Sequence, residues 1–552
     1  MNRIYNSFAA NAIYILIGFA VLVNFTGLFN TIMGPDAALY ASISKTMVLR
    51  NDFVNLFYGG GDWLDKPHFP FWVTALSFKI FGINTWAYKL PGILFLMMGA
   101  WYTYLFGRNL YNKTVGLWSV LILLTAQHIV FSNNDVRAEP YLTGLIIAAV
   151  YHFYKSNTLK SNNHLLAASL FTALAIMTKG MFALIPIGGA MAGELIIKRQ
   201  WKDLFQLRWL LALVLIGIFI LPEIYCLYQQ FDLHPEKIVF GKTNVSGIRF
   251  FFWDSQFGRF FNTGPIKGKG DLLFYIHTTL WAFLPWSILL FVAVVTLIRK
   301  GFHRPFDQEW YCLSASLLAF IFFSLSKFQL PYYLNIVFPF FAIIVAQYLY
   351  HISTTKSIYR VGLLQNSIAC LFLCIPFFLQ FLYKPENISW AGLSLLFLLI
   401  VLFYFLLSTG ANALVKILYR TAIASFCLNI YLNLVFFPSL SRYQTGSEAA
   451  FWINKNNQND LPVFTMQWSS PYMFYLNREF YPTDTTLQNI TAKEFLLYLS
   501  DEQANQLSGK GKKIQILKRM DNYPITLLDI KFLNAKTRCK VVKKMDIALV
   551  KQ

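Results

Sequence analysis

The chain has 552 residues, of which 56% are hydrophobic and only 13% charged, and its mean hydropathy is +0.48. Soluble domains carry about 25% charged residues, so this composition belongs to membrane proteins. The net charge of +21 does not mark a nucleic-acid partner, because Lys and Arg sit mainly in short loops between apolar stretches and in the C-terminal tail.

A helix needs about 20 apolar residues to cross a hydrocarbon core about 30 Å thick. The sequence predicts thirteen such spans, at 11–33, 89–107, 115–132, 138–154, 164–179, 181–197, 209–229, 272–298, 310–326, 331–350, 361–382, 389–407 and 421–438. The first run, from about Ala12 to Met33, is longer than a signal-peptide core and no small-residue cleavage site follows, so it reads as a retained span. Positive charges follow every even-numbered span: Arg108 and Lys113, Lys155 and Lys160, Lys198 to Arg208, Arg299 to Arg304, Lys356 and Arg360, Lys416 and Arg420. Arg3 precedes the first span and shares their side. Positive loops stay cytoplasmic, which puts the N-terminus inside and the C-terminal region outside.

The outward segments are then 34–88, 132–138, the break near Lys179, 230–271, 326–331, 383–388 and 439–552. Pro35 to Arg50 and Ile248 to Phe261 are too apolar for free loops and suit helices in the interface plane. The tail has another composition. Leu461 to Met466, Lys513 to Leu517, Ile525 to Phe532 and Lys540 to Val550 read as strands, and Ser447 to Asn454 and Thr491 to Leu499 as helices. The expected organisation is a transmembrane domain over 1–440 and a small periplasmic α/β domain over 441–552. The six cysteines form no CxxC pair or metal spacing, and no GxGxxG, Walker or HExxH pattern occurs.

The notable polar residues all fall outward. Asp36 suits a helix N-cap and equally a catalytic carboxylate at the membrane surface. Asp65-Lys66 reads as a surface ion pair of little energetic weight, or as a lysine placed to hold a phosphate. Arg137 and Glu139, at a span entrance, either pair with each other or line a cavity. Lys179 reads as snorkelling, and Ser326 to Tyr333 as a polar hairpin with a cation and two phenols. Arg259 and His277 are further candidates, His277 more simply a structural residue. The lysines at 510, 512, 513, 543 and 544 form either an attractor for an anionic acceptor or a solvated face. Acids and cations gathered at one surface suggest a site for an amphiphile with an anionic head.

Over roughly residues 10–440 the chain resembles the GT-C glycosyltransferases, specifically the bacterial aminoarabinose transferase and protein O-mannosyltransferase-like group. Gly34 to Ala41 resembles the family's D-E-x-R-Y-A segment, Asp65 to Trp72 its E-K-P-P-L-x-Y-W, and Arg137 to Leu142 its R-x-D-M-x-L. Thr178-Lys179-Gly180 matches T-K-G, Phe252 to Phe260 resembles H-L-R-R-F, Phe283 to Ser287 the F-x-P-W segment, and Ser326 to Pro339 S-K-L-P-H-Y-L-L-P. Ala37 and Leu39 replace the family's second acid and arginine, and the loop histidine associated with a metal in some members falls near Gln256.

The resemblance implies an all-α polytopic GT-C membrane fold of about thirteen helices with periplasmic interfacial helices, followed by the α/β domain. It implies a hexosyl or pentosyl transferase in the bacterial inner membrane, its site facing the periplasm. The enzyme would move sugar from polyprenyl phosphate, such as undecaprenyl phosphate, to an envelope acceptor, with inversion. A lipid A-like lipid, another glycan or lipid, or a protein are open as acceptors, and membrane lipids are partners. A lipid-linked-sugar flippase is the alternative from another class. Asp36 and Glu139 are the expected catalytic pair. Lys66, Arg259, Tyr333, Tyr332 and Lys327 are expected at the donor phosphate, and Asp65, Arg137 and Tyr40 at the substrate. No cofactor is fixed, and a divalent metal is left open.

Overall fold

The computed structural model describes residues 2–264, 266–303, 306–386, 390–408, 412–488 and 490–551. Arg304, residues 387–388 of a predicted outward segment and residue 389 of the twelfth span lie outside them. The protein is a multi-span helical membrane protein with a C-terminal mixed sheet. Each predicted span overlaps helical structure, but among the described residues five helices are long and apolar enough to cross a membrane unaided: Thr85–Leu110, Trp201–Asp232, Pro331–His351, Thr355–Leu382 and Ala413–Ser441. The eighth predicted span is broken, since Phe274–Ala282 and Ser287–Gly301 meet at 119°. Pro285 lies in that break and has no N–H to continue a helix. The third splits at Ala126 into Lys113–Thr125 and Gln127–Ser132, and the first is helical over Asn2–Phe25.

Residues at or beside the loops after the second, fourth, sixth, eighth and tenth predicted spans, Asn109, Lys160, Lys198, Asp203, Glu309 and His351, surround one cavity, and residues of five segments predicted opposite, among them Asp36, Arg137, Lys179, Arg259 and Phe328, line another, described below. Helices approach closely where side chains vanish: a Cβ at Gly99 would lie 3.0 Å from Gly144 Cα. Buried amides tie the first, third and last spans together. Asn133 donates to Asn24 Oδ1 at 2.7 Å, Asn134 to Asn433 Oδ1 at 2.9 Å, and Gln127 to Asn429 Oδ1 at 2.7 Å. Each buried amide needs such a partner, and together they fix the turn that carries Asp135 and Arg137.

Pro35–Arg50 is a helix as expected. Ile248 to Phe261 is instead three short pieces, Gly247–Arg249, a π turn Phe250–Asp254 and Phe257–Phe260, with Trp253 and Phe261 exposed.

The C-terminal sheet has five strands in the spatial order Tyr481–Pro482, Val463–Thr465, Glu494–Ser500, Lys543–Lys551, Lys513–Asn522, the first three parallel and the last pairings antiparallel. Two expectations are corrected here. The helix expected over Thr491 to Leu499 is the central strand Glu494–Ser500. Its residues 495–499 are all buried, and a continuous apolar run has no alternation to separate strand from buried helix. The strand expected over Ile525 to Phe532 is a loop with a short helix, Ile530–Leu533. Its apolar residues are split: Ile525 and Phe532 pack inward, while Leu527 and Ile530 face out.

Candidate active site

Asp36 is the second residue of its helix. Gly34 holds the N-cap position with φ +86° and makes no side-chain cap, so the capping reading of Asp36 is corrected. Its carboxylate accepts from Arg137 at 2.5 Å and stays near the helix N-terminus, where negative charge is favoured. Its side chain is 55% exposed, open to the cavity mouth. Arg137 also holds Asp135 at 2.5 Å and lies over the Tyr332 ring at 4.5 Å. The local Arg137–Glu139 pairing considered from sequence does not form. Glu139 is buried and accepts from Lys179, so Lys179 does not snorkel; its ammonium also sits 3.7 Å from the Tyr333 ring centre.

Lys66 donates to Asp65 at 2.7 Å, and Arg259 donates to the other oxygen of the same carboxylate. Neither lysine nor acid is a surface residue here: their side chains are 17% and 13% exposed. Burial pushes the Lys66 ammonium down to about 8, against the pull of Glu139 and Asp36.

The loop carrying Lys66 is pinned two residues later. Buried His68 shares Glu223 through its ring Nδ1 and its backbone N–H, each at 3.0 Å, and its Nε2 donates to Val54 O at 2.9 Å. Gly180, at φ +106°, ends the helix of Lys179, and a Cβ there would stand 2.2 Å from Gln256 Nε2.

Asp36, Tyr40, Asp65, Lys66, Arg137, Glu139, Arg259, Tyr332 and Tyr333 line one open cavity of about 670 Å³, with Lys179 and Trp63. Lys327 does not: it is exposed and outside this lining. His277 is likewise exposed, beside Phe274. A second, largely apolar pocket of about 610 Å³, with Leu142, Phe182, Phe323 and Ile336 in its wall, shares Lys179, Arg259, Phe328 and Tyr333 with the first. Cations at the junction of a polar cavity and an apolar pocket suit an amphiphile with an anionic head.

Sequence reasoning left out Lys179, Asp135 and the His68–Glu223 brace. The matched Thr178-Lys179-Gly180 pointed to the first. Asp135 stood two residues from Arg137, and only the fold brings Glu223 to His68. Gln256 stands where the resemblance expects a histidine, and its amide donates to Lys179 O and Ser255 Oγ. With Asp65 held by two cations as well, this donor set does not fit zinc, and among the described residues no group of three or more His, Cys, Asp or Glu gathers as a metal site.

Fold and site define a polytopic membrane protein built around a cation-lined cavity that adjoins an apolar pocket. Residues 65–225 match the family model for dolichyl-phosphate-mannose-protein mannosyltransferase. The chain is 25% identical over 367 residues to the undecaprenyl phosphate-alpha-4-amino-4-deoxy-L-arabinose arabinosyl transferase of Enterobacter sp. strain 638, covering 64% of this chain and 62% of that protein. It is 28% identical over 322 residues to the enzyme of that name from Edwardsiella ictaluri, covering 57% and 55%. The chain thus aligns with less than two thirds of these relatives' length. Its fold is that of ArnT from Cupriavidus metallidurans bound to undecaprenyl phosphate, with TM-score 0.74, 17% identity and 98% of each chain covered. The resemblance read from the motifs therefore holds in fold, and over residues 65–225 in the family model.

Proposed function

We propose that the protein is an inverting glycosyltransferase that moves a sugar from a polyprenyl-phosphate donor to a phosphorylated, lipid A-like lipid of the cell envelope. The carrying observation is the junction of the two cavities at Lys179, Arg259, Phe328 and Tyr333, with Lys66 in the wall of the polar one. A polyprenyl chain fits the apolar side, its phosphate the cations, and the sugar the open side toward Asp36 and Glu139. Relatives named for an undecaprenyl-phosphate aminosugar donor support the same reading. Residues 1–440 would form the transmembrane catalytic domain and 441–552 a periplasmic domain, with the cavity facing the periplasm. The positive loops support that orientation, since such loops stay cytoplasmic.

The acceptor oxygen attacks the anomeric carbon while the bond from that carbon to the phosphate oxygen breaks, and polyprenyl phosphate leaves with the electron pair. Lys66 and Arg259 hold the developing charge in a site that is partly dry, where fixed charges act strongly. Asp36, aimed by Arg137, orients the acceptor and takes its proton if the nucleophile is a hydroxyl. An acceptor phosphate is already ionised and needs only orientation. Lys179 holds Glu139 toward the sugar. Analysis of envelope lipids and of secreted proteins from cells with and without the protein tests the acceptor: sugar lost from a phosphorylated lipid supports the proposal, and sugar lost only from proteins overturns it.

A further inference from the structure

The C-terminal domain reaches the rim of the candidate site through residues 523–543. This lobe is locked to the end of a transmembrane helix. Ala535 N–H donates to Leu382 O at 3.0 Å, and Tyr523 N–H to Tyr443 O, just past the last span, at 2.9 Å. Arg538 donates to Tyr383 O and to Phe532 O, and lies 4.0 Å over the Tyr383 ring. Tyr523 and Phe532 stack at 3.9 Å and share a core with Met33, Phe372 and Phe436. One side of the lobe meets the segment before Asp36: a Cβ at Gly34 would stand 3.3 Å from Thr526 Cγ2 and 3.6 Å from Asp135 Oδ1.

The other side is unpartnered and amphipathic. Leu527, Leu528 and Ile530 are 73%, 38% and 61% exposed, and Lys531, Lys536 and Lys540 are exposed around them. The lobe is bonded to the last residues of the span Thr355–Leu382, and the end of a spanning helix is where the headgroups begin. Apolar and cationic side chains there face acyl chains and phosphates together. The lysines considered earlier as one cluster are in fact divided. Lys513 pairs in register with Lys551, while Lys543 and Lys544 begin that strand, roughly 26 Å away at 3.3 Å per residue. Only the second group lies at the membrane end.

We infer that residues 527–540 form a docking platform for the acceptor, a phosphorylated multi-acyl lipid of the same leaflet. The acyl chains would lie against Leu527, Leu528 and Ile530, the phosphate against Lys531, Lys536 and Lys540, and the polar head would point past Thr526 toward Asp36. This rests on the proposed reaction for its acceptor, but not for the binding itself.

The test uses the full chain in phosphatidylcholine nanodiscs and a fluorescent bis-phosphorylated lipid A. Two variants, Leu527→Ser/Leu528→Ser/Ile530→Ser and Lys531→Gln/Lys536→Gln/Lys540→Gln, change only exposed side chains. Each is expected to weaken lipid A binding about ten-fold or more, with polyprenyl-phosphate affinity unchanged, while Lys66→Ala shows the reverse pattern. Lipid A affinity within about two-fold of native in both variants, or no binding by the native protein, overturns the platform. Binding that depends on these residues, with no sugar transfer by the native protein to any acceptor, keeps the platform and removes the reaction instead.

Discussion

Arg259 and Asp65 meet across 194 residues of sequence, and the same carboxylate accepts from Lys66 on its other oxygen. Asp65 therefore spaces two cations that would otherwise repel each other, leaving their remaining donors to face the cavity. Asp65→Asn should bind polyprenyl phosphate at least as tightly as the native protein, because a competing negative charge is gone. It should turn over about ten-fold or more slowly, because the cations lose fixed positions. Titration with polyprenyl phosphate beside single-turnover rates checks both, and weaker binding with unchanged turnover contradicts the assignment.

Lys66 sets an alkaline limit. A lysine is cationic below its pKa, and burial lowers that of Lys66 to about 8. If the ammonium holds the donor phosphate, kcat/KM falls as pH rises through about 8, since that ratio reports the free enzyme. Lys66→Arg keeps its charge throughout this range, so it should lose the alkaline fall even if its absolute rate is lower. An identical alkaline limb in native and Lys66→Arg proteins would assign the titration elsewhere.

Arg137 aims Asp36 while stacking on Tyr332 and holding Asp135. One ammonium cannot bridge two carboxylates and stack in the same way. Lys at this position should therefore cost about 100-fold in turnover, approaching Asp36→Asn, with donor affinity changed little. A Lys variant within a few-fold of native turnover would remove the aiming role.

Much of this site was legible before any fold was known, because its residues sit in short ordered motifs at the ends of long apolar runs. Asp36, Lys66, Arg137, Glu139, Arg259 and the two tyrosines all come together. What the sequence concealed were partners. Arg137 and Glu139 look like a pair on paper, yet a helix begins between them and sends each to a distant charge. The Asp36 cap failed because Gly34 already occupies that position. In the tail, Glu494–Ser500 lies in the middle of its sheet, buried on both faces, and so lacked the alternation that identifies a strand.

The His68–Glu223 brace is one such hidden contact, and it makes a separable prediction. Glu223→Ala leaves a buried imidazole and a buried N–H without their partner, and should destabilise the protein by about 3 kcal/mol. It should also reduce turnover through displacement of Lys66. Glu223→Gln keeps an acceptor for the backbone N–H and should recover part of both. Thermal unfolding in detergent together with activity checks this, and equal stability of the native and Ala proteins would show that the brace contributes nothing.

The central claim is that the cavity transfers sugar from a lipid donor, with Asp36 at its acceptor side. The most direct measurement is release of polyprenyl phosphate from a polyprenyl-phosphate sugar by the purified protein in liposomes, with and without an extract of envelope acceptors, for the native protein and Asp36→Asn. The account predicts acceptor-dependent release that Asp36→Asn lowers by about 100-fold or more. No release from any donor, while labelled donor crosses the bilayer, would contradict it and identify a flippase.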